Sequence, residues 1–321
     1  MKHTCKMRTR LMAFATAALM LGGALILPGC KAKGFGKEAE GKVKVLASIY
    51  PMYDFVKRIG GEYVSVSMMV PAGTEPHAWE PSTRDMMKFE EADLFVYNGA
   101  GMEAWAEDVL KSVQNKNLTV LEASTGVELI RLSEEDHDED HEEEHHHGEF
   151  DPHVWLSPKN ADLEMKNIAE ALKKIDPDHA SDYDRNYTAA KEECDRLDSA
   201  FSTEMAGKEG KHIVVAHEAY GYLCKEYGLE QIGIEGVSAD SEPDAARMRE
   251  IIDLVEKYEV KCVFFEELVN PKVAKTIAEE TGCTTQALSP LDALSQADID
   301  AGRDYFSVMR DNLEALKQAL A

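Results

Sequence analysis

The sequence predicts an α/β fold: two similar lobes, each a mainly parallel four-stranded sheet flanked by helices, joined by one long linking helix. Three observations predict it. Short β-branched apolar runs alternate with helix-length stretches, the same order begins again at His212, and Ala180 to Met205 runs without an internal Gly or Pro. Strands separated by helix-length segments pair in parallel, because the chain must cross over before the next strand starts.

In chain order, "VKVLA" (Val43 to Ala47) is an apolar run of strand length, Pro51 to Ile59 a helix, and "YVSVSMMV" (Tyr63 to Val70) a second strand. Thr83 to Ala92 reads as a helix, "DLFVYNG" as the third strand, Glu103 to Val113 as a helix and "LTVLEA" as the fourth strand. A helix from Asn160 to Lys174 stops at "DPDH". The next, Ala180 to Met205, spans roughly 40 Å at about 1.5 Å per residue, enough to run along both lobes and restrict hinge bending between them. The second half repeats the pattern: "HIVVA", a helix through Tyr227, "LEQIGIE", a helix from Asp244 to Tyr258, "VKCVFFE", a helix from Pro271 to Thr281, and "TTQALSP".

The N-terminus indicates export. Lys2, Lys6, Arg8 and Arg10 precede an almost uninterrupted apolar run from Leu11 to Leu27, the pattern of a secretory signal. The run ends in "LPGC", which resembles the lipobox of bacterial lipoproteins and makes Cys30 the expected lipidated first residue; an uncleaved membrane anchor is the alternative. Lys31 to Gly41 is a polar tether. The expected organisation is therefore a leader over 1–29, the lipidated cysteine and tether over 30–41, a first lobe over 42–178, the linking helix over 179–207 and a second lobe over 208–321. That length is enough for two domains, each burying its own core.

Removal of the leader takes away four basic and no acidic residues, so the net charge falls from -25 to -29. So acidic a chain makes a poor partner for nucleic acid. Cys194, Cys224, Cys262 and Cys283 remain outside the leader and lipobox. None is spaced like a zinc ribbon, and in an exported chain Cys262 and Cys283, which open successive strands, form the preferred disulfide pair.

Ligands of open parallel α/β sheets bind beyond the carboxyl ends of the strands. Four side chains of metal-ligating type fall there: His77 in "PAGTEPHAWEPS", His153 in "FDPHVWLSP", His217 in "VVAHEAYGYL" and Asp292 in "ALSPLDALS". His77 and His153 share the pattern Pro-His-x-Trp, in which proline fixes the backbone before the imidazole and tryptophan supplies an apolar wall. Either histidine alone would be an ordinary packed or exposed residue; their repetition at equivalent strand ends, with His217, points to a metal. Three imidazoles and one carboxylate suit Zn²⁺, whereas manganese and magnesium favour more oxygen. Asp292 competes with Glu75, Glu218, Glu266 and Glu267, and with a plain helix-capping role.

Between the fourth strand and His153 lies a tract, Glu134 to Glu149, with ten Asp/Glu and five His. It has too few apolar residues to fold around a core, so it reads as a mobile loop. His137, His141, His145, His146 and His147 suit weak auxiliary metal capture, against the plainer reading of a solvated charge run.

The lipobox, "PAGTEPHAWEPSTRDMMKFEEADLFVYNGAGMEAW", the His/Asp/Glu tract before "DPHVWLSP", "VVAHEAYGYL", "VFFEELVNPKVAKTIAEETG" and "GRDYFSVMRDNLEAL" together resemble the zinc/manganese solute-binding lipoproteins of bacterial ABC transporters. The resemblance runs from about Val43 to Leu316. It implies metal binding in a cleft between two lobes, attachment of a monomer to the bacterial cell membrane through Cys30, and delivery to an integral-membrane permease with a cytoplasmic ATPase. It places the family's metal ligands at His77, His153, His217 and Asp292. Zinc members resemble this chain in having histidine at the third position, where manganese members carry glutamate. In some zinc members the acidic ligand comes a few residues earlier, where this chain has Ser289, and Glu75 and Ala78 depart from the commoner residues around the first histidine.

The expectation is a non-enzymatic, high-affinity zinc-binding protein serving import, with a manganese or broader divalent-metal protein of the same type as the alternative. A zinc hydrolase would keep a coordination position open for water, and no His-Glu-x-x-His helix is present. A metal-stabilised adhesin would instead lose its fold on chelation. Because ligating imidazoles are neutral, affinity should fall below about pH 6.5.

Overall fold

The computed structural model describes Phe35 and residues 39–132, 149–237 and 243–321. The leader, Cys30 and the loop histidines His137, His141, His145, His146 and His147 lie outside the described residues.

Four parallel strands, β1 (Val43–Ala47), β2 (Val64–Met68), β3 (Leu94–Tyr97) and β4 (Thr119–Glu122), form the first sheet in the order β2-β1-β3-β4. Helices α1 (Tyr50–Gly60), α2 (Thr83–Glu91) and α3 (Ala106–Ser112) make the crossovers. After α4 (Pro158–Ile175) and α5 (Ala180–Met205), a second sheet repeats the arrangement. Strands β5 (His212–Val215), β6 (Glu230–Gly233), β7 (Cys262–Phe265) and β8 (Thr284–Ala287) pair in the order β6-β5-β7-β8, also parallel throughout. Their crossovers contain α6 (Gly221–Tyr227), α7 (Ala245–Lys257) and α8 (Lys272–Thr281). In both sheets the order in which strands are added therefore switches sides between the first and third strands, which opens a crevice at the carboxyl ends.

Strand alternation sorts the apolar side chains. Val43, Val45 and Ala47 point into a large central cluster, whereas Leu46 joins an outer cluster with Phe89 and Phe95. In the second sheet Ile213 and Val215 point inward while Val214 and Val263 pack outward against Ile251 and Ile277. The central cluster is continuous across both halves and takes in Trp155, Tyr183, Phe201 and Tyr305. Each lobe thus has its own outer core, but the inner faces share one, unlike the expected pair of separate cores.

Helix α5 buries Tyr183, Ala190, Cys194, Leu197, Phe201 and Met205, steps of seven, four, three, four and four residues that lay one apolar stripe along the shared core. Two helices have no counterpart in the sequence reading: α9 (Gln296–Asp300) and α10 (Tyr305–Ala319). The latter starts at a reciprocal capping box of Asp304 and Ser307 and packs on α5. Helix α3 begins at Ala106, three residues later than expected. Gly99, Ala100 and Gly101 all have positive φ, and the Glu103 carboxylate accepts from the Asn98 and Gly99 amides, so this stretch turns before it becomes helical.

Cys262 and Cys283 are free thiols, as are Cys194 and Cys224, which corrects the expected pair. Cys262 stands opposite Thr284 in the β7–β8 register, so Cys283 falls one step away. Successive strand residues face opposite sides of a sheet, and the Cys283 Sγ instead lies 3.0 Å from the Val260 carbonyl.

Candidate metal centre

His77, His153, His217 and Asp292 meet, with one ligand-type atom from each lying within 4.8 Å of the others. His77 comes from the loop between β2 and α2, and His153 from the turn leading into α4. His217 follows β5, and Asp292 follows β8. His153 and His217 are wholly buried, Asp292 nearly so, and His77 half-buried.

The Nε2 atoms converge. His77 Nε2 lies 3.2 Å and His217 Nε2 3.3 Å from His153 Nε2. With zinc–nitrogen bonds of about 2.05 Å, the edge of a tetrahedron is about 3.3 Å, so this spacing suits ligands of a single ion. The other ring nitrogens of two histidines are held from behind. His153 Nδ1 is 2.9 Å from Asp151 Oδ1, which also accepts the His153 amide at 3.0 Å. His217 Nδ1 is 2.5 Å from Glu266 Oε1. In the neutral ring, a carboxylate behind Nδ1 favours the proton there and leaves the Nε2 lone pair facing the cleft.

Asp292 Oδ1 accepts the Ala293 amide at 2.7 Å, while its buried Oδ2 has no hydrogen-bond partner among the described residues. A buried carboxylate oxygen in that state is costly unless a cation or proton meets it. The competing carboxylates are placed otherwise: Glu266 backs His217, Glu75 Oε1 accepts the His77 amide at 2.9 Å, and Glu218 Oε1 accepts the Gly233 amide at 3.3 Å. Glu267 lines a cavity of about 170 Å³ shared by Glu75, Glu266 and Asp292. A larger cavity, about 560 Å³ beside Tyr97, Gly99 and Glu122, includes none of the four converging residues.

Burial, reinforced by the neighbouring imidazoles, holds His77 and His153 well below the ordinary histidine value. His217 goes the other way. Burial alone would lower it, but the charge and hydrogen bond of Glu266 raise it to about 9. Asp292 is pushed up to about 8 by burial, then by Glu75 and Glu266, and Asp151 to about 7 by burial.

The two Pro-His-x-Trp segments differ. Trp155 lies behind His153, ring centroids 5.4 Å apart, whereas Trp79 packs edge-on against Trp105 at 5.5 Å. Asp151 went unremarked in the sequence, although an acidic residue two before the histidine is the signal that finds it. Ser289 is tied in both directions to Asn312, its amide to Oδ1 at 2.9 Å and its carbonyl to Nδ2 at 2.7 Å.

The chain is 42% identical over 289 residues to the zinc-binding protein AdcA of Streptococcus pyogenes serotype M3, which covers 87% of this chain and 56% of that protein. It therefore spans just over half the length of that relative. It is 40% identical over 289 residues to the high-affinity zinc uptake system protein ZnuA of Bacillus subtilis, covering 90% of this chain and 91% of that one. Among solved structures, the Zn(II)-bound ZnuA-like domain of Streptococcus pneumoniae AdcA matches with a TM-score of 0.75 and 36% identity, over 87% of this chain and 99% of that one. The laminin-binding protein Lmb of Streptococcus agalactiae, described as bifunctional with adhesin and metal transporting activity, matches with a TM-score of 0.76 and 35% identity, over 87% and 100%. Residues 45–319 match the family described as ZnuA, zinc-uptake complex component A, periplasmic, and the chain belongs to that family.

Proposed function

We propose that this protein captures Zn²⁺ outside the cytoplasm with His77, His153, His217 and Asp292 and delivers it to an ABC permease driven by a cytoplasmic ATPase. The observation that carries the reading is the approach of His77 Nε2 and His217 Nε2 to His153 Nε2 at tetrahedral-edge distances, with all four ligand-type atoms within 4.8 Å, beside a buried carboxylate oxygen that lacks a partner among the described residues. The names of the relatives, zinc-binding and zinc uptake proteins, support zinc as cargo. A set of three imidazoles favours zinc over manganese, which prefers oxygen ligands. Four protein ligands also close the tetrahedron, which leaves no position for the water a hydrolase would activate.

In the same reading the protein is a monomer held at the membrane through a lipid on Cys30, with 30–41 as tether, 42–178 and 208–321 as lobes and 179–207 as the link. His137, His141, His145, His146 and His147 act as a weak outer capture tract. The test is metal competition on the soluble chain from Lys31 onward. One tight zinc site, preferred over manganese and severely weakened by His217→Ala, is expected. Tight binding that ignores His217 and disappears with the histidine tract would overturn the cleft site. A fold lost on chelation would favour the metal-stabilised adhesin instead.

A further inference from the structure

We infer that Trp155 is the positioning residue that holds the Asp292 carboxylate in reach of the three histidines, by tying the turn of His153 to the loop of Asp292. The inference rests on the zinc reading above and adds a residue with no atom in the coordination set. The buried indole Nε1–H of Trp155 donates to the Pro290 carbonyl at 2.8 Å. Its ring also lies against His153. One side chain thus touches an imidazole from the first half of the chain and the loop of a carboxylate from the second.

That loop needs a tie at this point. Leu291, between Pro290 and Asp292, has a φ of 61° and is wholly buried. A branched, non-glycine residue in the left-handed region persists only where its surroundings impose it. Relaxation of Leu291 to an ordinary φ would rotate the peptide that aims Asp292. Other ties act upstream: Tyr220 Oη–H donates to the Leu288 carbonyl at 2.8 Å, and Asn312 grips Ser289. Between Ser289 and Asp292 the Leu291 amide makes only a long 3.3 Å bond to the Ser289 hydroxyl, whereas the Trp155 bond is short; the next backbone tie, the Gly73 amide on the Leu294 carbonyl at 2.9 Å, comes two residues after Asp292.

The His153 turn, by contrast, is held independently of the indole. Asn98 Nδ2 donates to the Pro152 carbonyl at 2.9 Å, Tyr222 Oη to the Asp151 carbonyl at 2.7 Å, and Tyr305 Oη to the Trp155 carbonyl at 2.7 Å. Loss of the indole N–H therefore releases Asp292 and leaves His153 in place. Trp155→Phe should mimic Asp292→Ala and not His153→Ala.

The test uses the soluble chain from Lys31 onward, with Co²⁺ as the spectroscopic probe, because its visible bands are intense in a four-coordinate site and weaken as the geometry opens. Trp155→Phe is expected to lower zinc affinity about 10- to 100-fold, to show the cobalt spectrum of Asp292→Ala, and to add no further loss when combined with Asp292→Ala. A wild-type spectrum, or losses that multiply in the double variant, would overturn the role of Trp155. Absence of intense bands in the wild-type protein would overturn the zinc site and the inference with it. If thermal melting shows that the Phe variant fails to fold, benzothienylalanine at position 155 replaces only the N–H with sulfur and must give the same spectrum as Asp292→Ala.

Discussion

Glu266 Oε1 lies 2.5 Å from His217 Nδ1, while Nε2 of the same ring lies 3.3 Å from His153 Nε2. Glu266 therefore does two things: it orients the ring and, against the effect of burial, raises its pKa to about 9. His217 is protonated at neutral pH in the metal-free protein, with a second N–H pointing into the cleft. Zinc must displace that proton, and Asp292, raised to about 8, gives up part of another.

The sign follows. Below about pH 9 protons compete with zinc at His217, and below about 8 at Asp292 as well, so apparent affinity should rise by about ten- to a hundredfold per pH unit from 7 toward 8, by up to about tenfold from 8 toward 9, and then level. This moves the window well above the value near 6.5 that an isolated imidazole suggests. Calorimetry at pH 7.5 in buffers of different ionisation enthalpy should report about one to two protons released per zinc. Glu266→Gln should reduce that number by about one. Zinc binding with no proton release would contradict the Glu266–His217 arrangement. Without metal, the raised histidine also stabilises the fold below its unfolded value, a contribution lost as pH rises through about 9.

Asp151 holds His153 as Glu266 holds His217, accepting from both the ring and the backbone amide. It sits close against Gly221 at the start of α6, where an added Cβ would collide with Asp151 Oδ2. Asp151→Asn should weaken zinc binding about 10- to 100-fold, since the amide can offer a donor where the ring needs an acceptor. Gly221→Ala should weaken it in the same direction by displacing Asp151. Chelator competition measures both, and wild-type affinity in Gly221→Ala would show that the carboxylate has room to move.

The fold was legible because β-branched strand runs and crossover helices repeat twice in the same order. The four converging residues were legible because each follows a strand at its carboxyl end. What lies behind them was not. Glu266 reads in the sequence as one more carboxylate near a strand end, and only the three-dimensional register of β7 beside β5 sets it behind His217. The two Pro-His-x-Trp segments look equivalent, but Trp79 has Trp105 as a neighbour and turns to it. The shared core was invisible for a similar reason: inward and outward strand faces are equally apolar, so alternation is hidden in a sheet buried on both sides.

The histidine tract can be tested separately because its ends are already paired. Arg131 bridges Phe150 in antiparallel fashion, the Leu132 amide donates to the Glu149 carbonyl at 3.1 Å, and the Asp151 amide to the Ile130 carbonyl at 2.9 Å. Deleting residues 134–147 leaves Ser133 and Gly148 to close a two-residue turn of a kind hairpins accept. The shortened protein should keep one tight zinc site and lose only the weaker additional equivalents in a stoichiometric titration. Loss of the tight site despite an unchanged melting curve would place essential ligands in the tract.

Glu164 supplies a prediction about stability alone. It projects from α4 into the shared core, is wholly buried, and neither carboxylate oxygen has a partner among the described residues. Burial, and then the charge of Glu103, raises its pKa well above the ordinary value. Glu103 itself accepts from the Ser48 hydroxyl and from the Asn98 and Gly99 amides, and although burial lifts it to about 6 it is charged at neutral pH. Glu164 is thus protonated in the folded protein but ionises in the unfolded chain above about pH 4.3. Unfolding releases its proton, so wild-type stability falls as pH rises from there toward the folded pKa, by up to about 1.4 kcal/mol per unit. Glu164→Gln removes this term and keeps the shape. In urea denaturation with chelator present, so that metal does not stabilise the fold, the advantage of the variant over the wild type should grow steadily from pH 5 to pH 8. Parallel pH dependences for the two proteins would mean that Glu164 is ionised in the folded state, with a partner able to hold its charge.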